Sequence, residues 1–481
     1  MIACSGAKSD KPPPLPQQLT DRCYTAQRVL QAQNASTDHV PMALKWRQGD
    51  GVTTITEDQL GKRLRAGRAG TQTWVLARGG SGKSRLVGAV QAANCGQVPV
   101  IRIDAALDLR PKMTVATDEK PALGQVLLEQ LGGQPEDDAI EVLQAKLGGQ
   151  PWLLILDGTD ELSQADRRAM GKDLAWLAKS GATMPHFVRF ERPGFTLGMR
   201  AMQPDAVAEL PELTCEQADA VWQRRTGGGS AYQAALAWRA KLNLDRKRPD
   251  GEGCRYVFMP TFRDAETLAD LAVDAGKGMD DLPATPNRAD VFASWTGHRV
   301  RGVATSTDAA LGWLDRMIAL GVADATEPDF VLTLDRCQNA KPPGGVTAEE
   351  ACTALMGSTI VKAGPSKHIW LPRNQTLTDL LLARWLVAKH SECETLAGAT
   401  AELASLELTA MVIAQTGGRR CLSPIVAALC SRGTQVEDIA KFTDEALSRD
   451  SDFVGVVQRG AEKASGACER AVFASLGRPS P

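Results

Sequence analysis

The stretch WVLARGGSGKSRLVGAVQAA, from Trp74 to Ala93, constrains this chain more than any other. Its first four residues are apolar and read as a buried strand, and residues 85–93 repeat their apolar positions at helical spacing. Between them lies ARGGSGKS, Ala77 to Ser84. A strand that passes into a helix through such a loop is the setting of a phosphate-binding P-loop. Its glycines let backbone N–H groups close around an anion, and the helix N-terminus adds positive dipole. The motif assigns Ala77, Arg78, Gly79, Gly80, Ser81, Gly82, Lys83, Ser84 and Arg85 to nucleotide binding. Lys83 would reach the β- and γ-phosphates, and the Ser84 hydroxyl would ligate Mg2+. A glycine-rich turn alone can simply join a strand to a helix. The flanking strand and helix favour the phosphate reading.

A second signal lies downstream. The apolar run Trp152–Leu156 ends in DGTDEL, Asp157 to Leu162. An acid at the C-terminal end of a buried parallel strand is placed to serve a phosphate-bound Mg2+. Asp157 is the metal-associated residue of this reading, and Asp160 and Glu161 are placed to orient or deprotonate a water. Acids this close repel one another unless a cation is among them. The runs VPVIRI (Val98–Ile103) and HFVRF (His186–Phe190) add further strands. They alternate with helical segments near residues 123–131, 137–147 and 164–179. That alternation predicts βαβ units around a parallel sheet. Beyond Pro211 the strand runs fade and helices dominate.

Together ARGGSGKS and LLILDGTDEL resemble the NACHT ATPases of the STAND class of P-loop NTPases. The likeness continues in HFVRFERPGF, where Arg192-Pro193 stands in place of that family's phosphate-sensing Arg-Pro, and in AVAELPELTCEQADAVW, which is similar to its helical-domain entry. Met259-Pro260 before TFRDAETLADLA matches a Pro-then-helix element. NQTLTDLLLARWL resembles the winged-helix segment, with Asn374 where the family has a nucleotide-touching His. The resemblance implies an α/β P-loop NTPase core, a parallel sheet with flanking helices, followed by helical and winged-helix domains and a C-terminal helical segment. The boundaries expected are a short, partly disordered region at 1–70, the core at 71–213, a helical domain at 214–286, a winged-helix-like domain at 287–392 and a helical segment at 393–481. It also implies a switch that binds ATP or ADP with Mg2+ and hydrolyses slowly. Asp160, Glu161 and Arg192 would be its catalytic residues, and it would self-associate on activation by an unknown trigger, with a role such as antiphage defence. Two other readings stand beside it. One is a nucleotide-binding scaffold without turnover. The weaker one is a motor-type ATPase, for which no arginine finger or second sensor can be placed.

The formal charge of −2, from 55 basic and 57 acidic residues, gives no clear sign of nucleic-acid binding. Eleven cysteines are scattered without a CxxC pair, which predicts reduced thiols and a cytoplasmic protein. Five histidines lie at no metal-ligand spacing. No apolar run approaches the ~20 residues that span a bilayer, so no membrane partner is expected.

Overall fold

The computed structural model describes residues 17–35, 42–147, 149–159, 162, 164–179, 184–193, 204–248, 253–277, 282–284, 286–300, 306–321, 332–343, 346–358, 360–363, 369–372, 375–403, 405–447 and 452–477. The chain divides into two compact units. The first comprises residues 1–77, 83–191 and 201–211, and the second 78–82, 192–200 and 212–481.

The first unit is built on seven strands: β1 (Ala43–Gln48), β2 (Gly51–Thr56), β3 (Gln72–Leu76), β4 (Val100–Asp104), β5 (Leu153–Asp157), β6 (His186–Glu191) and β7 (Ala206–Glu209). Their order in the sheet is β2-β1-β7-β3-β6-β5-β4. The five strands from β7 to β4 run parallel, whereas β1 is antiparallel to both β7 and β2. Every residue of β5 and β6 is buried. This is why they read as nearly continuous apolar runs, as strands covered on both faces do. The helices are α1 (Gln17–Ala35), α2 (Glu57–Arg65), α3 (Lys83–Ala93), α4 (Arg110–Met113), α5 (Ala122–Leu131), α6 (Ala139–Leu147) and α7 (Gln164–Lys179). A capping box fixes the start of α2: Thr56 accepts from the Gln59 N–H, and the Gln59 side chain accepts from the Thr56 N–H. The core joins Leu44 and Trp46 of β1 to Val75, Leu86, Val90, Ile155 and Phe190.

Strands β1, β2 and β7 are not marked by the sequence pattern. In β2 only Ile55 is buried, and β7 has just four residues, AVAE. Yet β7 lies inside the sheet, between β1 and β3. Strand pairing supplies what side-chain pattern lacks there.

The second unit is mainly helical. Its early part holds α8 (Cys215–Thr226), α9 (Gly229–Lys241), the two-residue strands β8 (Lys247–Arg248) and β9 (Arg255–Tyr256), and α10 (Phe262–Ala275). Then come α11 (Arg288–Arg299), α12 (Thr307–Gly321), β10 (Leu332–Thr333), α13 (Leu334–Asn339), α14 (Ala348–Met356), β11 (Val361–Ala363), β12 (Ile369–Pro372) and α15 (Gln375–Lys389). The strands pair antiparallel in the order β10-β12-β11, a small sheet among helices. The remainder is α16 (Cys393–Glu402), α17 (Leu406–Ala414), α18 (Thr416–Arg420), α19 (Leu422–Ser431), α20 (Val436–Leu447), α21 (Phe453–Lys463) and α22 (Ala467–Leu476). One core runs through the unit, from Trp222 and Phe292 to Trp313, Leu380, Val412 and Phe473.

The expectation of free, reduced thiols is overturned. Ten cysteines form five disulfides: Cys23–Cys95, Cys215–Cys254, Cys337–Cys352, Cys393–Cys421 and Cys430–Cys468. Cys4 lies outside the described residues. The partners are 15 to 72 residues apart in sequence and meet only through tertiary packing, so neither spacing nor the odd total reveals them. Disulfides persist mainly in oxidising compartments, so the cysteines no longer support a cytoplasmic placement. Among the described residues no helix is long and apolar enough to cross a membrane.

Alkylation of the unreduced, unfolded protein, read by mass spectrometry, is expected to label none of these ten cysteines. Label on both members of any pair would remove that bridge. Reduction should lower the midpoint of unfolding, since each bridge contributes about 2–4 kcal/mol.

Candidate functional site

The sheet order sets the stage. Strand β6 lies between β3, which leads into the glycine turn, and β5, which ends in Asp157. In register, Leu76 pairs with Glu191 and Asp157 with Phe190, so the C-terminal ends of the three strands are level. Ligands of open parallel sheets bind at such ends.

Within the first unit, Lys83 is the first residue of α3. Ser84 and Arg85 follow it and, with Arg22 and Arg102, help to line a cavity of about 570 Å3. Arg85 forms an ion pair with Glu57 at 2.7 Å. Asp157 is buried, and its Oδ2 accepts from Arg102 Nη2 at 2.8 Å. Glu191, at the end of β6, is fully buried. Its Oε1 accepts from the Thr159 hydroxyl at 3.0 Å and from Arg189, and its Oε2 has no partner among the described residues.

The turn itself, Arg78–Gly82, belongs to the second unit. Gly80 has φ +78° and Gly82 φ +95°, a region that favours glycine. A Cβ on Gly80 would also collide with Arg263. The Arg263 N–H, at the start of α10, donates to the Gly80 carbonyl at 3.1 Å. Thr261 caps that helix, accepting from the Asp264 N–H and donating to Asp264 Oδ2 at 2.6 Å. The buried Arg288 donates from Nε to Asp264 Oδ1 at 3.0 Å.

Arg78 is 3% exposed, so it is not the solvated side chain that a loop position suggests. Its guanidinium is engaged with carboxylates. It binds Glu445 through two parallel bonds of 2.9 and 2.8 Å, Glu212 at 2.7 Å and Glu407 at 3.2 Å, and it lies over the Phe442 ring. Burial works against the charge of Arg78, but Glu445, Glu212 and Glu407 more than reverse that effect. Arg192 is also buried. It donates to Asp379 Oδ2 at 2.7 Å and to Glu407 Oε2 at 3.2 Å. The Gly79 N–H is shared between the two Glu407 oxygens at 3.1 and 3.2 Å.

Thus Arg78, Gly79 and Arg192 are gathered on one carboxylate, and Lys83 and Ser84 open α3. Asp160, Glu161 and Asn374 lie outside the described residues. The pattern gave no notice of Glu191, Asp379, Glu407 or Glu445. Asp379 and Glu407 were the more detectable pair, each a single acid in a strongly apolar helical run, LTDLLLA and LELTAMVIA.

A mixed, mostly parallel sheet with a glycine turn between β3 and α3, and an acid closing β5, is a P-loop NTPase fold. The structure is similar to that of the Aeropyrum pernix Orc1 protein in complex with DNA, at 13% identity and a TM-score of 0.32, over 68% of this chain and 91% of that one. It is also similar to Cdc6p from Pyrobaculum aerophilum, at 13% identity and a TM-score of 0.30, over 67% and 89%. No protein-family model and no curated protein matches the sequence. The expectation of no clear nucleic-acid binding is withdrawn, because it rested on net charge alone. Near-zero net charge describes the whole chain and does not report local surface.

Glu445→Ala should lower the free energy of unfolding by about 3 kcal/mol or more, because breaking a buried ion pair leaves a charge uncompensated. Denaturant titration checks this. A loss below about 1 kcal/mol, the range of exposed pairs, would contradict the buried geometry.

Proposed function

We propose that this protein binds ATP and ADP with Mg2+ and acts as a NACHT-like switch whose nucleotide state controls conformation and self-association, with slow hydrolysis as the reset. The observation that carries this reading is the pair of positive-φ glycines directly before Lys83 and Ser84 at the first turn of α3. A backbone held in that form presents its N–H groups as an anion cradle, and the residues present suit a nucleotide phosphate.

In this reading the Lys83 ammonium neutralises the phosphates, and Ser84 and Asp157 hold Mg2+. The cation, when bound, screens the phosphate charge. Asp160 and Glu161 orient a water or take its proton. Arg192 distinguishes a terminal phosphate. Arg102, through its bond to Asp157, keeps that carboxylate oriented and partly neutralised. ATP and ADP would favour different conformations because they differ by one phosphoryl group, and a ligand shifts an equilibrium only through such differential contacts. A signalling role follows from the same resemblance.

Nucleotide released from the purified protein by denaturation, and identified chromatographically, is expected to include ADP. Lys83→Ala should bind ADP at least tenfold more weakly, a cost of ~1.4 kcal/mol, in line with loss of a charge-assisted contact. Glu161→Gln should bind nucleotide and lose turnover. Absence of ADP and ATP binding by the unaltered protein in direct titration would sink the proposal.

A further inference from the structure

Near the C-terminal end of the second unit, α18, α19 and α21 enclose a cleft of about 370 Å3 that the nucleotide reading does not use. Leu422 of α19, with Val456 and Gly460 of α21, gives it an apolar floor. Four cations line it: Arg419 and Arg420 from the last turn of α18, and Arg459 and Lys463 from α21. Arg459 and Lys463 are four positions apart and so share one face of their helix. The one acid among the described lining residues is Asp452, which accepts from Arg459 Nη2 at 2.5 Å. Arg420 and Lys463 are exposed, and their side chains have no ion-pair partner among the described residues. Four cations thus face one carboxylate, in a chain whose overall charge is −2.

Both walls of the cleft are held in place. Arg419 Nη2 donates to the Ala414 carbonyl at 3.2 Å, which sets that side chain against the end of α17. The Cys393–Cys421 bridge ties the corner between α18 and α19 to α16, and Cys430–Cys468 ties α19 to α22. Helix α21 lies close on α22, since a Cβ at Gly460 would come within 2.3 Å of Phe473. The start of α19, where Ser423 reaches the cleft, has no side-chain cap and adds the positive end of its dipole. A site formed in advance spends little binding energy on ordering.

We propose that this cleft binds a small organic phosphate bearing two phosphoryl groups, one met by Arg419 and Arg420 and the other by Arg459 and Lys463. Guanidinium and ammonium groups in such pairs are the donors that phosphoryl oxygens recruit. The apolar floor suits the carbon skeleton between the two charged ends, which a bare inorganic anion would leave unused. The volume is that of a small-ligand site. The cations converge on one concavity instead of following a stripe, so they suit a compact ligand better than a nucleic-acid backbone.

Fructose bisphosphate is the probe, because it carries two phosphoryl groups and no nucleobase. Calorimetric titration compares the full chain with a double variant, Arg420→Ser with Lys463→Ser, and with Lys83→Ala. The double variant should bind the probe about tenfold or more weakly, as loss of two charge-assisted contacts requires, with its unfolding midpoint unchanged. Lys83→Ala should bind it as the unaltered protein does, because the cleft is separate from the glycine turn. Hydrogen exchange in residues 422–431 and 453–463 should fall when the probe is added. No binding to the unaltered protein at about 1 mM would overturn the proposal, as would equal affinity in the double variant. Loss of binding in Lys83→Ala would move the ligand to the glycine turn and overturn it too. Sulfate binding as tightly as the probe would reduce the cleft to an unspecific anion patch. Duplex DNA held through Arg420 and Lys463, with the probe unbound, would replace the small ligand by a nucleic acid.

Discussion

Charge burial is the constraint on which this structure turns. A guanidinium moved out of water costs several kcal/mol unless carboxylates meet it with good geometry. Arg78 and Arg192 are both nearly inaccessible, and Glu212, Glu445, Asp379 and Glu407 surround them at hydrogen-bonding distance. The four acids come from separate places: the segment after β7, α20, α15 and α17. No one of them is spared without leaving a cation short of a partner. Helices of the second unit are thus tied to the glycine turn by electrostatics.

The cluster also gives the turn a definite chemistry. Gly79 donates to a carboxylate, and Gly80 is locked by its φ and by the closeness of Arg263. A loop suited to an anion already holds one that the chain supplies.

Much of the fold was legible because its strands and helices carry strong patterns. The run LLIL before Asp157 and the run HFVRF are buried on every residue, and α7, Gln164–Lys179, covers the positions its pattern marks. The glycine turn was legible for a different reason: few sequences place three glycines, a lysine and a serine between a strand and a helix. The β1–β2 hairpin was not, because β2 exposes five of its six residues and so carries no apolar signature. Strand β7 was missed because AVAE is short and its place in the sheet is decided by its neighbours.

The sequence by itself determined the local chemistry: the strand–turn–helix, the acid that ends β5 and the arginine after β6. These are short-range features, set by backbone conformation and apolar period. Tertiary structure alone decided which cysteines bond and which carboxylates neutralise Arg78 and Arg192. Those partners lie 15 to 72 residues apart for the disulfides and 134 to 367 for the ion pairs of Arg78. Over such separations pairing depends on which helix faces meet, and no local pattern encodes that. A buried acid and a solvated one look alike in sequence until the fold removes the water from one of them.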